Sequence, residues 1–387
     1  MKTCSRYLSI PVLVAILIAL AAAQSSEDAA PVTHHVAAQA PVLGPSRQMG
    51  ADRASPPAGS HFTGIVNAAP NPWMLQATLP GAVIHDISFP TARVGYAAAE
   101  LGQVWKTTNG GTTWKEILNV GFPYYWFGVK ALSANLVVIS GFNDSNFEGI
   151  LRWSQDGGTT WSSDVILTTS GWSYRTRFAN GQDGLVMDGL NLDAANAAHY
   201  TTDGGAAAAD WTADVPDPAG GWFGNQFSLL SNLHARTSGI TYCDSPNGGQ
   251  TWSCGPSVDS VFDGPVFFVN DTNGWVGGGE ISPAVEGWVH RTANGGTTWS
   301  GRTLDSPWPI REIRFLTAKM GWAAGGNLYT AVGGIYFSRD GGQTWSLDVN
   351  TSAEMDACDS RTSGTHFQVW CAGYNSSSNG VVYTLKH

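Results

Sequence analysis

The sequence predicts an all-β fold, a seven-bladed propeller of four-stranded blades, and three observations carry that prediction. A short Gly-Gly motif ending in Trp recurs six times at near-constant spacing. Each copy sits between two β-prone runs, and two further runs of the same kind precede it. The composition, with 47 Gly, 17 Trp and only 13% charged residues, suits short strands and tight turns and argues against a coiled coil or a helical bundle.

In chain order, residues 1–23 read as an export signal. Lys2 and Arg6 give a positive start, Leu8–Leu20 is apolar, and Ala21-Ala22-Ala23 offers a small-residue cleavage site before Gln24. The apolar run is short for a membrane-spanning helix, and no later stretch is long enough to be one. Removing the signal leaves 18 basic against 30 acidic residues, a net charge of −12. Such an acidic chain offers no basic surface for nucleic acid or anionic membrane. The expected product is soluble and secreted or otherwise exported, and monomeric. Residues 24–71 are rich in Ala, Pro and Ser without sustained apolar periodicity, the pattern of a flexible linker.

The propeller is expected over residues 72–387. Its repeated motif reads Thr107-Thr108-Asn109-Gly110-Gly111-Thr112-Thr113-Trp114 in the first copy. The later copies are centred on Asp156 with Trp161, Asp203 with Trp211, Asn247 with Trp252, Asn294 with Trp299, and Asp340 with Trp345. Successive tryptophans are 47, 50, 41, 47 and 46 residues apart. The chemistry is that of a turn: Asp or Asn accepts backbone N–H groups a few residues on, and the Gly pair supplies positive φ. The motif therefore tips a hairpin between the third and fourth strands of a blade, c and d, with its Trp opening strand d. Strands a and b show best in Asp86–Phe89 with Gly95–Ala99, Pro265–Phe268 with Gly274–Val276, and Glu312–Phe315 with Gly321–Ala323. Four-strand units at this period indicate a propeller.

The chain ends supply the seventh blade. Strands near Met355–Ser360, Gln368–Tyr374 and Val381–Lys386 follow the sixth motif, and the sequence stops where the next turn would come. Trp73–Leu79 resembles a strand d, so it is expected to pair with Val381–Lys386 and close the ring. Cys4 falls in the signal, which leaves four cysteines and three possible connectivities. The blade assignment favours local bridges, Cys243–Cys254 across strands c and d of blade 4 and Cys358–Cys371 across strands a and b of blade 7. Neither pair has zinc-ligand spacing, so no metal is assigned. Sequons at Asn143, Asn270, Asn350 and Asn375 permit glycosylation.

The six motif copies resemble the Asp-box, or BNR, repeats of sialidases, sortilin-type receptors and several glycoside hydrolases. The fuller repeat, from the strand ending in Phe through Gly-Trp or Gly-Tyr to the box, is similar to that of the photosystem II stability/assembly factor family. That resemblance spans about residues 73–387. It implies a seven-bladed propeller with a binding role, in which the d–a and b–c loops form the ligand face and the boxes lie on the opposite rim.

On that ligand face the sequence places Tyr124, Tyr125, Trp126, Trp172, Tyr174, Trp222 and Trp308, aromatic platforms for a peptide or a sugar ring. Arg175, Arg177, Arg311 and Arg314 lie at the innermost strands, where they would reach the channel and meet a carboxylate, or else pair with neighbouring acids. The expected function is non-catalytic binding of a protein or glycan, without a cofactor. The alternative is a glycoside hydrolase using Asp144, Glu148, Glu280 or Glu286. The early Phe-Arg-Ile-Pro segment of sialidases is absent, and no P-loop or nucleophile motif appears.

Overall fold

The computed structural model describes residues 73–169, 171–188, 197–214, 226–239, 241–259, 263–280 and 285–387. The export signal and linker expected for residues 1–71 lie outside them, as does Trp222.

Seven four-stranded antiparallel sheets form the blades. Blade 1 comprises Ile84–Ser88, Gly95–Ala99, Gln103–Thr107 and Lys115–Asn119. Blades 2 to 6 open on the inner strands Tyr124–Ala131, Ser173–Phe178, Phe227–Leu229, Asp263–Phe268 and Ile310–Phe315. In blade 7, Ala353–Ser363, His366–Asn375 and Gly380–Lys386 are completed by Met74–Leu79 from the start of the ring. The pairing runs antiparallel from Met74 opposite Thr384 to Leu79 opposite Gly380, as the sequence predicted. Among the described residues, no helix is long and apolar enough to cross a membrane.

The repeated turn folds by its own side chains. Ser154 Oγ accepts the Gly158 amide at 2.7 Å, and Asp156 Oδ1 accepts the Thr160 amide at 2.8 Å. The Thr160 hydroxyl, donating to Asp156 Oδ2 at 2.6 Å, contributes most to holding the Asp156 carboxyl down at about 2, followed by the Thr160 amide. Gly158 has φ +90°, a turn shape that favours glycine, and a Cβ there would press on the end of the Ile117 side chain of the neighbouring blade. The turns also lock blades together. The Trp370 indole N–H of blade 7 donates to Gly110 O of the blade 1 turn at 2.9 Å, and Trp275 of blade 5 reaches Gly341 O of blade 6 at the same distance.

The core lies between blades rather than within one. The Phe ending an inner strand meets the Trp of its own blade's turn edge-on: Phe89 with Trp114 at 5.8 Å and Phe315 with Trp345 at 5.8 Å. Its other face stacks on a Trp from the preceding blade, Trp370 at 3.8 Å and Trp275 at 3.4 Å. Both cysteine pairs are disulfides between residues directly opposite on neighbouring strands, Cys243–Cys254 in blade 4 and Cys358–Cys371 in blade 7. Loops this short give each bridge about 3 kcal/mol on the chain-entropy model.

Candidate functional site

The site is built by an irregularity that recurs around the ring. In blades 1, 2, 3, 5, 6 and 7 the register between strands a and b slips partway along, leaving unpaired residues in a bulge on the inner strand. A bulge breaks the alternation of side chains, so residues three apart rather than two can share a face. Two rings of side chains result. The upper one contains His85, Phe127, Tyr174, Arg311 and Asp356, and the lower one contains Ser88, Lys130, Arg177, Phe267, Arg314 and Asp359.

Arg175 separates the two rings. From blade 3 its Nη1 reaches Glu312 Oε2 of blade 6 at 2.8 Å and lies 3.5 Å from Asp86 of blade 1. Its Nη2 donates to the carbonyls of His85, at 3.1 Å, and of Asp356, at 2.6 Å. One guanidinium thus ties four blades across the axis with its side chain 3% exposed, closing the channel at mid-depth. Burial pushes the Glu312 carboxyl up, while Arg175 and the other guanidiniums nearby oppose that shift.

Above Arg175, four aromatic rings run from rim to channel. Phe122 is exposed and meets Tyr125 edge-on at 6.5 Å. Tyr125 stacks on Phe127 at 6.5 Å, and Phe127 stacks on Tyr174 at 5.2 Å. His85 packs beside Phe127, and Tyr374 stands 6.5 Å beyond it. Burial, chiefly, raises the Tyr174 phenol to about 12, so it stays a hydrogen-bond donor.

Charged groups complete the mouth. His85 Nε2 lies 3.3 Å from Glu100 and Nδ1 3.3 Å from Asp356. Burial pulls the imidazole down, but bonds to Asp356 and Glu100 outweigh it and raise the group from 6.5 to about 9. A raised imidazole stabilises the fold fully below about pH 6.5, and that contribution fades as pH rises through about 9. We expect about 3 kcal/mol of stability to disappear across this window. Urea unfolding of His85→Gln should lack that limb; an unchanged pH profile would remove His85 from the account.

Glu354 is fully engaged, with Oε1 accepting from Arg311 at 3.0 Å and Oε2 from the Tyr374 hydroxyl at 2.8 Å. Burial and neighbouring Asp356 raise its carboxyl. Burial and the carboxylates of Glu354 and Asp356 likewise raise the Tyr374 phenol. The Tyr374 hydroxyl therefore keeps its proton and donates it to Glu354 in a hydrogen bond.

Several residues expected on the open face lie elsewhere. Trp126, Trp172 and Trp308 are buried in packing between strands; in blade 2 the bulge turns Phe127 toward the axis and leaves Trp126 in the core with Tyr96 and Val104. Trp172 packs edge-on to Phe142, and Trp308 packs with Leu304 and Ile310. Tyr124 turns to its own blade's outer strands, donating to Asp164 at 3.1 Å beneath Arg152. Tyr125 and Tyr174 do stand at the mouth. All four arginines pair with acids, Arg177 with Asp86 at 3.0 Å, Arg311 with Glu354 and Arg314 with Asp359 at 3.9 Å. Of the acids considered for hydrolysis, Glu280 and Glu286 stand directly opposite each other on adjacent strands of blade 5. Glu148 accepts from Asn146 in its own turn, and Glu286 pairs with Arg302 on the surface of blade 5. Sequence reading missed His85, Glu100, Glu354, Asp356 and Tyr374.

A solved structure of YCF48 bound to a D1 peptide is similar over 82% of this chain and 98% of its own, with TM-score 0.58 and 19% identity. YCF48 from Cyanidioschyzon merolae gives TM-score 0.55 and 17% identity over 82% of this chain and 99% of its own. The WD40 β-propeller domain of Doa1 gives 0.54 and 13% over 80% and 96%. At these identities the likeness shows the propeller fold. No protein-family model matches the chain, and no curated protein matches it by sequence.

Proposed function

We propose that the chain is an exported, non-catalytic recognition module that holds a peptide segment of a protein partner over the upper mouth of its channel. The aromatic strip Phe122–Tyr125–Phe127–Tyr174 carries this reading. Stacked rings open to solvent at one end, bordered by Arg311, Asp356 and Glu100, suit apolar side chains flanked by backbone and charged groups. Arg175 gives the pocket a floor, so the ligand lies across the mouth rather than through the ring. The network around His85 and Glu354 fixes the walls before binding, which lowers the ordering cost. A propeller of similar fold, YCF48, has been solved bound to a D1 peptide, which supports the same class of ligand here. The repeated turns, read as Asp boxes, belong to the scaffold. The export signal read in residues 1–23 and the two disulfides support the exported part of this reading, in which the chain acts as a monomer.

Selection of a random peptide library against the full chain tests the reading. Enriched peptides are expected to lose at least about tenfold in affinity for Tyr174→Ala and Tyr125→Ala, as truncated aromatic anchors do. Equal affinity for these variants would overturn it. Selective binding on a glycan array, or cleavage of a glycan abolished by substituting Asp144, Glu148, Glu280 or Glu286, would favour the carbohydrate reading instead.

A further inference from the structure

Below Arg175 the channel changes character. Arg177 from blade 3, Arg314 from blade 6 and Arg361 from blade 7 all act electrostatically on Lys130 from blade 2. The chain as a whole carries −10, yet this pocket concentrates four cations. Among the described residues, three carboxylates lie near them: Glu312, which is close to Arg314 and Arg177 but held by Arg175, Asp86 and Asp359. Asp86 is held by Arg175 and Arg177. Asp359 lies beside Lys130, Arg314 and Arg361, Arg314 also donates to the Cys358 carbonyl at 2.8 Å, and the oxygens of Asp359 already accept the amides of Phe89 and Ser360.

The Lys130 ammonium has no hydrogen-bond acceptor among the described residues. Burial first, then repulsion from Arg361, Arg177 and Arg314, lower it to about 8 against the pull of Asp359. Nε of Arg361 is buried without an acceptor, and its Nη1 has only a 3.4 Å contact to the Ser360 carbonyl. Phe267 forms an apolar wall with Arg314 laid over its ring at 5.3 Å. Converging donors in excess of acceptors, in an enclosure that screens poorly, favour an anion that supplies the missing acceptors.

We infer that this lower vestibule is a receptor for one small oxyanion, a phosphate or carboxylate group, held by Lys130, Arg361, Arg177 and Arg314. The site opens at the face carrying the repeated turns, on the far side of Arg175 from the aromatic strip. It stands whether or not a peptide binds above. An anion seated there would accept from the Lys130 ammonium and the free Arg361 Nε, and would relieve the repulsion among four blades. Binding should therefore stabilise the ring as well as mark its lower face.

Calorimetric titration of the full chain at low chloride, with inorganic phosphate in one arm and acetate in the other, tests this. Saturable binding of phosphate, acetate or both is expected, and the arm that responds identifies the group. The affinity should fall at least about tenfold in Lys130→Met and in Arg361→Gln, each of which removes a charge-assisted partner, and stay unchanged in Tyr174→Ala. Lys130→Met also relieves like-charge repulsion, so its thermal midpoint without anion should equal or exceed that of the parent chain while losing its rise with phosphate. No saturable heat from either anion, or titrations of both variants that match the parent chain, would overturn the inference.

Discussion

Replacing Arg175 by Met is expected to cost the fold about 3–5 kcal/mol, the usual penalty for leaving buried charges without their partner. The side chain is buried at the axis, and it contacts Glu312, Asp86 and two main-chain carbonyls belonging to blades 1, 6 and 7. Methionine fills much of the volume but returns none of the five N–H donors of a guanidinium. Asp86 keeps Arg177 at 3.0 Å, so the uncompensated charge falls mainly on Glu312. Burial already pushes Glu312 up, and loss of Arg175 pushes it further. A carboxyl raised in the folded state binds its proton more tightly there than when unfolded, so the variant should regain stability as pH falls. Arg175→Met with Glu312→Gln should recover part of the loss at neutral pH, since it removes the stranded charge. Urea unfolding between about pH 8 and pH 5 reads all three effects. A single variant within about 1 kcal/mol of the parent chain at neutral pH would show that the guanidinium does not hold the axis.

The scaffold was legible because its turns leave the chain few alternatives. A side-chain acceptor followed by two residues at positive φ admits Gly-Gly and little else, so six copies survive as readable text. Gly110 and Gly111, with φ of +72° and +93°, show why. The closing strand followed by counting: six motifs and one blade short of a fourth strand. The channel was not legible, since the bulge is a main-chain event that no residue type announces. Strict alternation puts Arg175 and Arg177 on one face, whereas the structure spends Arg175 across the axis and aims Arg177 below it. One signal was available. His85 and Ser88, Tyr174 and Arg177, and Arg311 and Arg314 stand four and one residues before Phe89, Phe178 and Phe315. Lining up the inner strands on that Phe would have brought out both rings. Burial of Trp126, Trp172 and Trp308 had no such marker, because an indole covering a sheet end and one facing solvent have the same neighbours in sequence.

Removing residues 1–79 should abolish the monomeric, cooperatively folding ring. Met74–Leu79 is the outer strand of blade 7, and without it Gly380–Lys386 becomes an open edge with unpaired N–H and C=O groups. The loss extends beyond hydrogen bonds. Trp73, just ahead of the strand, is buried edge-on to Trp322 of blade 6 at 6.4 Å and donates to Asp348 at 2.8 Å. Leu79 packs with Ile84 of blade 1 and with Trp370 and Val382 of blade 7. One short segment therefore touches both neighbours of the seam. The Cys358–Cys371 bridge does not substitute for it, because it joins strands a and b of the blade and spans no part of the pairing that closes the ring. Trp73→Ala alone should cost about 3–5 kcal/mol, the range for deleting a large buried aromatic. The truncated chain should elute as oligomers on size exclusion and unfold over a broad urea range, and a synthetic peptide covering residues 73–79 should restore part of the monomer. If the truncated chain instead runs as a monomer within about 1 kcal/mol of the intact one, the disulfide and the remaining blade contacts hold the ring, and the shared blade is not what closes it.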